Sequence, residues 1–132
     1  MFKIFMMTVL LMSHSLTALA NPAVEKTIAD ARWQKRIILL FNDEQHLAQK
    51  QLKQWEKVDF DEWDIITITI SPDDAPSRQK YHVDENKTFS ILIGKDGTEK
   101  WRSRQLVDFS ELEKLISKMP MRQNEKSIRN TD

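Results

Sequence analysis

Residues Ile37-Ile38-Leu39-Leu40-Phe41 form an apolar run with no polar interruption, too short for a buried helix and rich in branched side chains. A strand with one wet face alternates apolar with polar, so an unbroken run of this length reads as a strand buried on both faces. Such a strand needs cover on both sides of its sheet. The chain must therefore supply amphipathic helices around it, which points to a layered α/β fold.

The flanking sequence offers those helices. Asn21-Pro22 opens a short stretch with Val24, Ile28 and Ala31 at helical spacing. After the apolar run, Asn42 with Gln45 three residues later predicts a helix over 42–57, with Leu47, Ala48, Gln51, Leu52 and Trp55 along its inner side. Residues 64–70 are β-branched at nearly every position and read as a second strand, with Ile66, Ile68 and Ile70 on one face. Ser71-Pro72-Asp73-Asp74 breaks that strand, and Pro76 suits the first turn of a short helix through Tyr81. Residues 89–93 form a third strand, which enters a hairpin through Gly94-Lys95-Asp96-Gly97 into a fourth strand over 98–103. Both glycines of the chain sit in that turn, where positive φ is expected. Asp108-Phe109-Ser110-Glu111 has the form of a capping box, and Phe109, Leu112, Leu115, Ile116 and Met119 follow helical spacing until Pro120. Residues 122–132 hold one apolar side chain, Ile128, and read as a disordered polar tail.

The chain has 132 residues, a length that fits one domain, here 21–121. Residues 1–20 have the anatomy of a cleaved signal peptide: Lys3 at the start, an apolar core over 4–12, and Ala18-Leu19-Ala20 as a small-x-small cleavage site. Ser13-His14-Ser15 interrupt the core after nine residues, too early for a membrane span of ~20 apolar residues. The protein is thus expected to be exported, periplasmic in a Gram-negative bacterium and secreted otherwise, with no membrane span after cleavage. Lysine and arginine number 20 against 20 acids, and losing Lys3 leaves one net negative charge. That balance argues against a nucleic-acid partner, which needs a basic surplus to displace counterions.

The order helix, strand, helix, strand, short helix, strand, strand, helix is similar to the thioredoxin-like core, β-α-β-α-β-β-α, with an extra N-terminal helical segment. Three segments carry a further resemblance: Arg32-Trp33-Gln34-Lys35-Arg36, Ile91-Leu92-Ile93-Gly94-Lys95-Asp96-Gly97, and Met119-Pro120-Met121-Arg122 with Glu125 close behind. In that order they resemble a family of exported bacterial domains of unknown function, called P-DUDES, which also occurs in eukaryotic extracellular proteins with sushi repeats. The resemblance runs over residues 30–125. It implies a thioredoxin-like, peroxiredoxin-related fold and no established enzymatic activity.

The chain has no cysteine. A thioredoxin-type centre keeps its thiols just after the first core strand, where Asn42-Asp43-Glu44-Gln45 stand instead, so thiol oxidoreductase chemistry is excluded. Acids remain at that place. Asn42, Asp43, Glu44 and His46 lie at the exit of the first strand and Asp73 and Asp74 at that of the second, where open α/β sheets bind ligands. They are the candidate ligand site. Acids at helix starts also simply answer the helix dipole, and no second histidine stands nearby, so no metal site and no cofactor is assigned. The alternation Asp59, Asp61 lacks the glycine and distant glutamate of a calcium loop, so a solvated loop is expected. Lys100, Arg102 and Arg104 share one side of the last strand, and Trp63, between Glu62 and Asp64, is the tryptophan expected to be most exposed. These four residues form the candidate partner surface. Asn86-Lys87-Thr88 matches a glycosylation sequon, of consequence only in a eukaryotic source. The function expected is a redox-inactive module that binds another exported protein. The alternative is a metal-assisted or hydrolytic enzyme using the carboxylates at the ends of the first two strands.

Overall fold

Strand β1 (Arg36–Phe41) is buried at every position and occupies the interior of a four-stranded sheet of order β2-β1-β3-β4. In the computed structural model, which describes residues 21–129, β2 (Ile65–Ile70) pairs parallel to β1 from Arg36↔Ile65 to Phe41↔Ile70. Strand β3 (Ser90–Ile93) pairs antiparallel to β1, and β4 (Glu99–Ser103) antiparallel to β3 with a register shift at Leu92/Ile93. The fold is α/β and thioredoxin-like, preceded by an extra helix α1 (Pro22–Ala31). The expected leader, 1–20, lies outside the described residues, as do 130–132.

The alternation within β1 separates two apolar layers. Ile38 and Leu40 face a cluster with Ala48 and Trp55 of the α2 region, Phe89, Leu92, and Phe109, Leu112 and Ile116 of α5 (Phe109–Ser117). Ile37, Leu39 and Phe41 face Ala31 of α1, Ile70, Ile91 and Val83. Each layer is what a doubly buried strand demands, and the edge-to-face packing of Trp55, Phe60, Trp63 and Phe109 fills the first one. Gln51, fully buried, grips the segment before α5 from both ends of its amide: Nε2 donates to Val107 O at 3.0 Å, and Val107 N–H donates to Oε1 at 2.9 Å.

Several boundaries differ from the sequence expectation. Helix α2 spans Leu47–Gln54 and not 42–57, because Asn42 continues the sheet through its N–H to Ile70 O at 2.9 Å. Residues 59–64 are no open loop: Asp61–Trp63 form a 3-10 turn, with Phe60 and Trp63 turned onto the core. After α3 (Ala75–Lys80) a further short helix, α4 (Val83–Asn86), leads to β3. Gly97 has the expected positive φ, +83°, but Gly94 does not. A Cβ at Gly94 would lie 2.6 Å from Lys100 Cε, so the flexible lysine side chain would have to swing aside to admit one.

The largest correction concerns the C-terminal end. Residues 120–129, expected to fall almost wholly in a disordered tail, form helix α6 (Pro120–Arg129). Pro120, which ends the α5 pattern, opens this next helix, a position its fixed φ favours. The docked face of α6 carries Arg122, buried in the structure, and the half-buried Glu125. A helix anchored by charges leaves no apolar periodicity to read.

Candidate functional site

At the carboxyl ends of β1 and β2 the chain turns sharply, and the acids there serve the backbone. Asp43 Oδ1 accepts from Gln45 N–H at 3.0 Å and from Leu47 N–H at 3.3 Å. It thereby substitutes for His46, which holds the N-cap position of α2 in a left-handed conformation, φ 55°, without a side-chain bond to the helix. Asp74 caps α3, with Oδ1 accepting from Ser77 N–H and Oδ2 from Ser77 Oγ at 2.8 Å. The buried Ser77 Oγ in turn accepts from Asn21 N–H at 3.1 Å, tying α1 to α3. Asp73, Glu44 and His46 are exposed. Among the described residues no group of three or more His, Asp or Glu side chains gathers as a metal site would.

A cavity of about 490 Å³ opens at this pole. Phe41, Leu47, Val83 and Phe89 give it apolar walls, and of the sequence candidates Asp43, Glu44 and Arg104 reach it. Asn42, His46, Asp73 and Asp74 do not line it; Asn42 Oδ1 is buried without a hydrogen-bond partner among the described residues. Three cations enter where acids were expected to dominate. Arg78 donates through Nη1 to Asn42 O at 3.2 Å, pairs with Asp84 at 3.2 Å and lies over the Phe41 ring. Lys87, in a left-handed conformation with φ 52°, and Arg104 stand at the rim with no ion pair among the described residues. Among the described residues no histidine lines the cavity, and the Thr88 hydroxyl accepts from Arg102. The arrangement can hold a ligand with an apolar body and a negative group. Among the described residues that line it, no serine or threonine hydroxyl stands beside a histidine base.

The remaining partner-surface candidates are mostly occupied. Lys100 pairs with Asp96 at 2.8 Å, and that hydrogen bond pulls the Asp96 carboxyl down to about 2. Arg102 pairs with Glu99 and reaches Tyr81 O at 3.1 Å. Trp63 is half-buried, packed edge-on to Phe109 with the Arg122 guanidinium 4.3 Å from its ring centre. The exposed tryptophan is Trp33, 59% accessible and held at φ 69°. The order expected for these two is thus reversed, because the 3-10 turn folds Trp63 inward.

The opposite pole holds a cluster that sequence reasoning did not pick out. Arg36, 1% exposed, pairs with Glu125 at 3.1 Å and donates to Trp63 O at 2.8 Å. Lys95 bonds Asp64 at 2.9 Å and also pairs with Glu125. Arg122, 2% exposed, pairs with Glu62 at 3.1 Å and donates to Glu62 O at 2.7 Å. Burial alone would push the Glu125 and Asp64 carboxyls up. The hydrogen bond from Lys95, joined at Glu125 by one from Arg36, together with the nearby positive charges, outweighs burial and holds both below the usual range. A second cavity of about 340 Å³ lies beside the cluster, with Trp33, Met119, Pro120 and Met121 among its walls. Trp33 and Arg36, Gly94 to Asp96, Met119 to Arg122 and Glu125 meet here. Their joint presence in the sequence was the signal, but nothing in it said that they touch.

A family model described as a domain of unknown function (DUF4174) matches residues 27–125, from within α1 into α6. No curated protein and no solved structure matches the chain.

Proposed function

We propose, from the premise that this chain belongs to the DUF4174 family, that it is an exported, redox-inactive binding module whose ligand site is the cavity at the carboxyl ends of β1 and β2. The finer kinship with the P-DUDES domains and their sushi-repeat relatives is part of the proposal, supported by the meeting of the three shared segments in one ionic cluster. Thiol exchange needs a sulfur that the chain lacks. The observation that carries the reading is the cavity itself. Its lining combines apolar walls with two cations that have no ion pair among the described residues, Lys87 and Arg104, against one such exposed acid, Glu44, at the sheet end where α/β proteins take ligands. The partner it fits is a segment of another exported protein that offers an apolar side chain next to a carboxylate. The metal-assisted alternative has less support, since the Asp43 and Asp74 carboxylates are engaged by backbone N–H groups.

The test compares capture from periplasmic extract by the wild type and by the Lys87→Glu/Arg104→Glu variant. Both residues are exposed, so the variant folds with a stability change of at most about 1 kcal/mol. A reproducible partner held by the wild type and lost by the variant is expected. No partner, or one retained equally by both proteins, overturns the reading.

A further inference from the structure

The two edges of the sheet are not alike. Edge strand β4 carries Glu99, Lys100 and Arg102 within five residues and has a register irregularity against β3, both of which discourage pairing with another chain. Edge strand β2 reads Ile65-Ile66-Thr67-Ile68-Thr69-Ile70, with no charge and no proline, and it pairs with β1 without a register break. Its hydrogen-bonding parity is settled at both ends. Asp64 O and Ile70 O accept from Arg36 N–H and Asn42 N–H next to β1, so the even-numbered residues direct their backbone toward β1. Thr67 and Thr69 direct theirs outward, and no described residue bonds to those outward groups. The Ile65 N–H is already taken by Phe60 O at 2.9 Å. Ile66, Thr67 and Ile68 are partly accessible and Thr69 is exposed.

The sequence of this edge also reads the same in both directions about Ile68: Ile66-Thr67-Ile68-Thr69-Ile70. We infer that β2 is the joint between two copies of this chain, paired antiparallel about a two-fold axis at Ile68 to give one continuous sheet. In that register Thr67 of each copy exchanges both backbone hydrogen bonds with Thr69 of the other, the two residues whose groups are free. Ile68 faces its own copy as the close, non-hydrogen-bonded pair, with Cα atoms about 4.5 Å apart. Ile66 lies opposite Ile70. Threonine therefore meets threonine on one face and isoleucine meets isoleucine on the other. The half-covered Ile66 and Ile68 gain apolar neighbours. A strand from an unrelated protein would satisfy the same backbone groups, whereas a second copy also matches the side-chain pattern residue for residue.

The absence of cysteine makes the test clean. Sedimentation of the purified protein is expected to show a concentration-dependent dimer, and Thr69→Lys, at an exposed position, is expected to return it to the monomer mass with its thermal transition kept. Under mild oxidation Ile68→Cys should form a disulfide-linked dimer. Thr69→Cys alone should not, because its counterpart lies two residues along the partner strand, beyond the ~7 Å Cα limit for a disulfide. A wild type that stays monomeric up to its solubility limit overturns the inference, as does a Thr69→Lys variant that still dimerises. Equal cross-linking at positions 68 and 69 overturns the register. If Ile68→Cys fails to fold, the masses of the wild type and of Thr69→Lys decide the question.

Discussion

Glu125 holds two buried cations at once, Arg36 and Lys95, and its own side chain is largely shielded. Removing one member of such a cluster leaves charge in a poorly hydrated place, which costs far more than the intact cluster contributes. Glu125→Ala is therefore expected to lower the unfolding free energy by about 3 kcal/mol in a urea titration. The same residue sets an acid limb. Because the folded Glu125 and Asp64 carboxyls lie below their unfolded values, their contribution is full above the unfolded carboxylate range, about 4, and is lost as pH falls through the folded values. Stability of the wild type should fall progressively below about pH 4, and Glu125→Ala should show a shallower decline over the same window. None of this was legible residue by residue. In the sequence Arg36 and Lys95 stand only as members of segments that carry the family resemblance, and their burial is what sets them apart from exposed cations.

At the scale of elements, apolar periodicity located those helices and strands that dock by burying hydrocarbon. Helix α5 and strands β1 to β3 follow their patterns closely. Helix α2 starts five residues late, since Asn42 is drawn into the sheet and Asp43 closes the loop that follows. The Asp43 carboxylate is thus a structural group. Asp43→Ala should cost about 1 kcal/mol in thermal or urea unfolding, the usual loss of a capping carboxylate. Divalent cations should raise the melting temperature of neither protein. A marked metal-dependent rise in the wild type, abolished in the variant, would restore the metal-assisted alternative. Helix α6 was missed for the converse reason: its docking face is Arg122 and Glu125, which a reading by hydrophobicity assigns to water.

On the scale of the molecule, α6 closes the pole opposite the cavity at the carboxyl ends of β1 and β2. It covers the Arg36 guanidinium, and Arg122 stacks on Trp63. A chain stopped after Met119 should therefore lose several kcal/mol and unfold with a broadened transition in circular dichroism. Loss of a solvated tail would leave the transition unchanged.

The sequence by itself determined the layered α/β architecture, because the apolar run 37–41 within β1 permits no other environment and its helical and strand neighbours have clear periods. It also determined that the site after β1 cannot use a thiol. Only the tertiary structure decided which charges are buried, that Lys87 and Arg104 stand over the cavity while Asp43 and Asp74 cap helices, and that residues far apart in the chain share Glu125. Periodicity reports where hydrocarbon leaves water one element at a time. Ion pairs and cavities arise between elements, so their partners are set by how the layers pack.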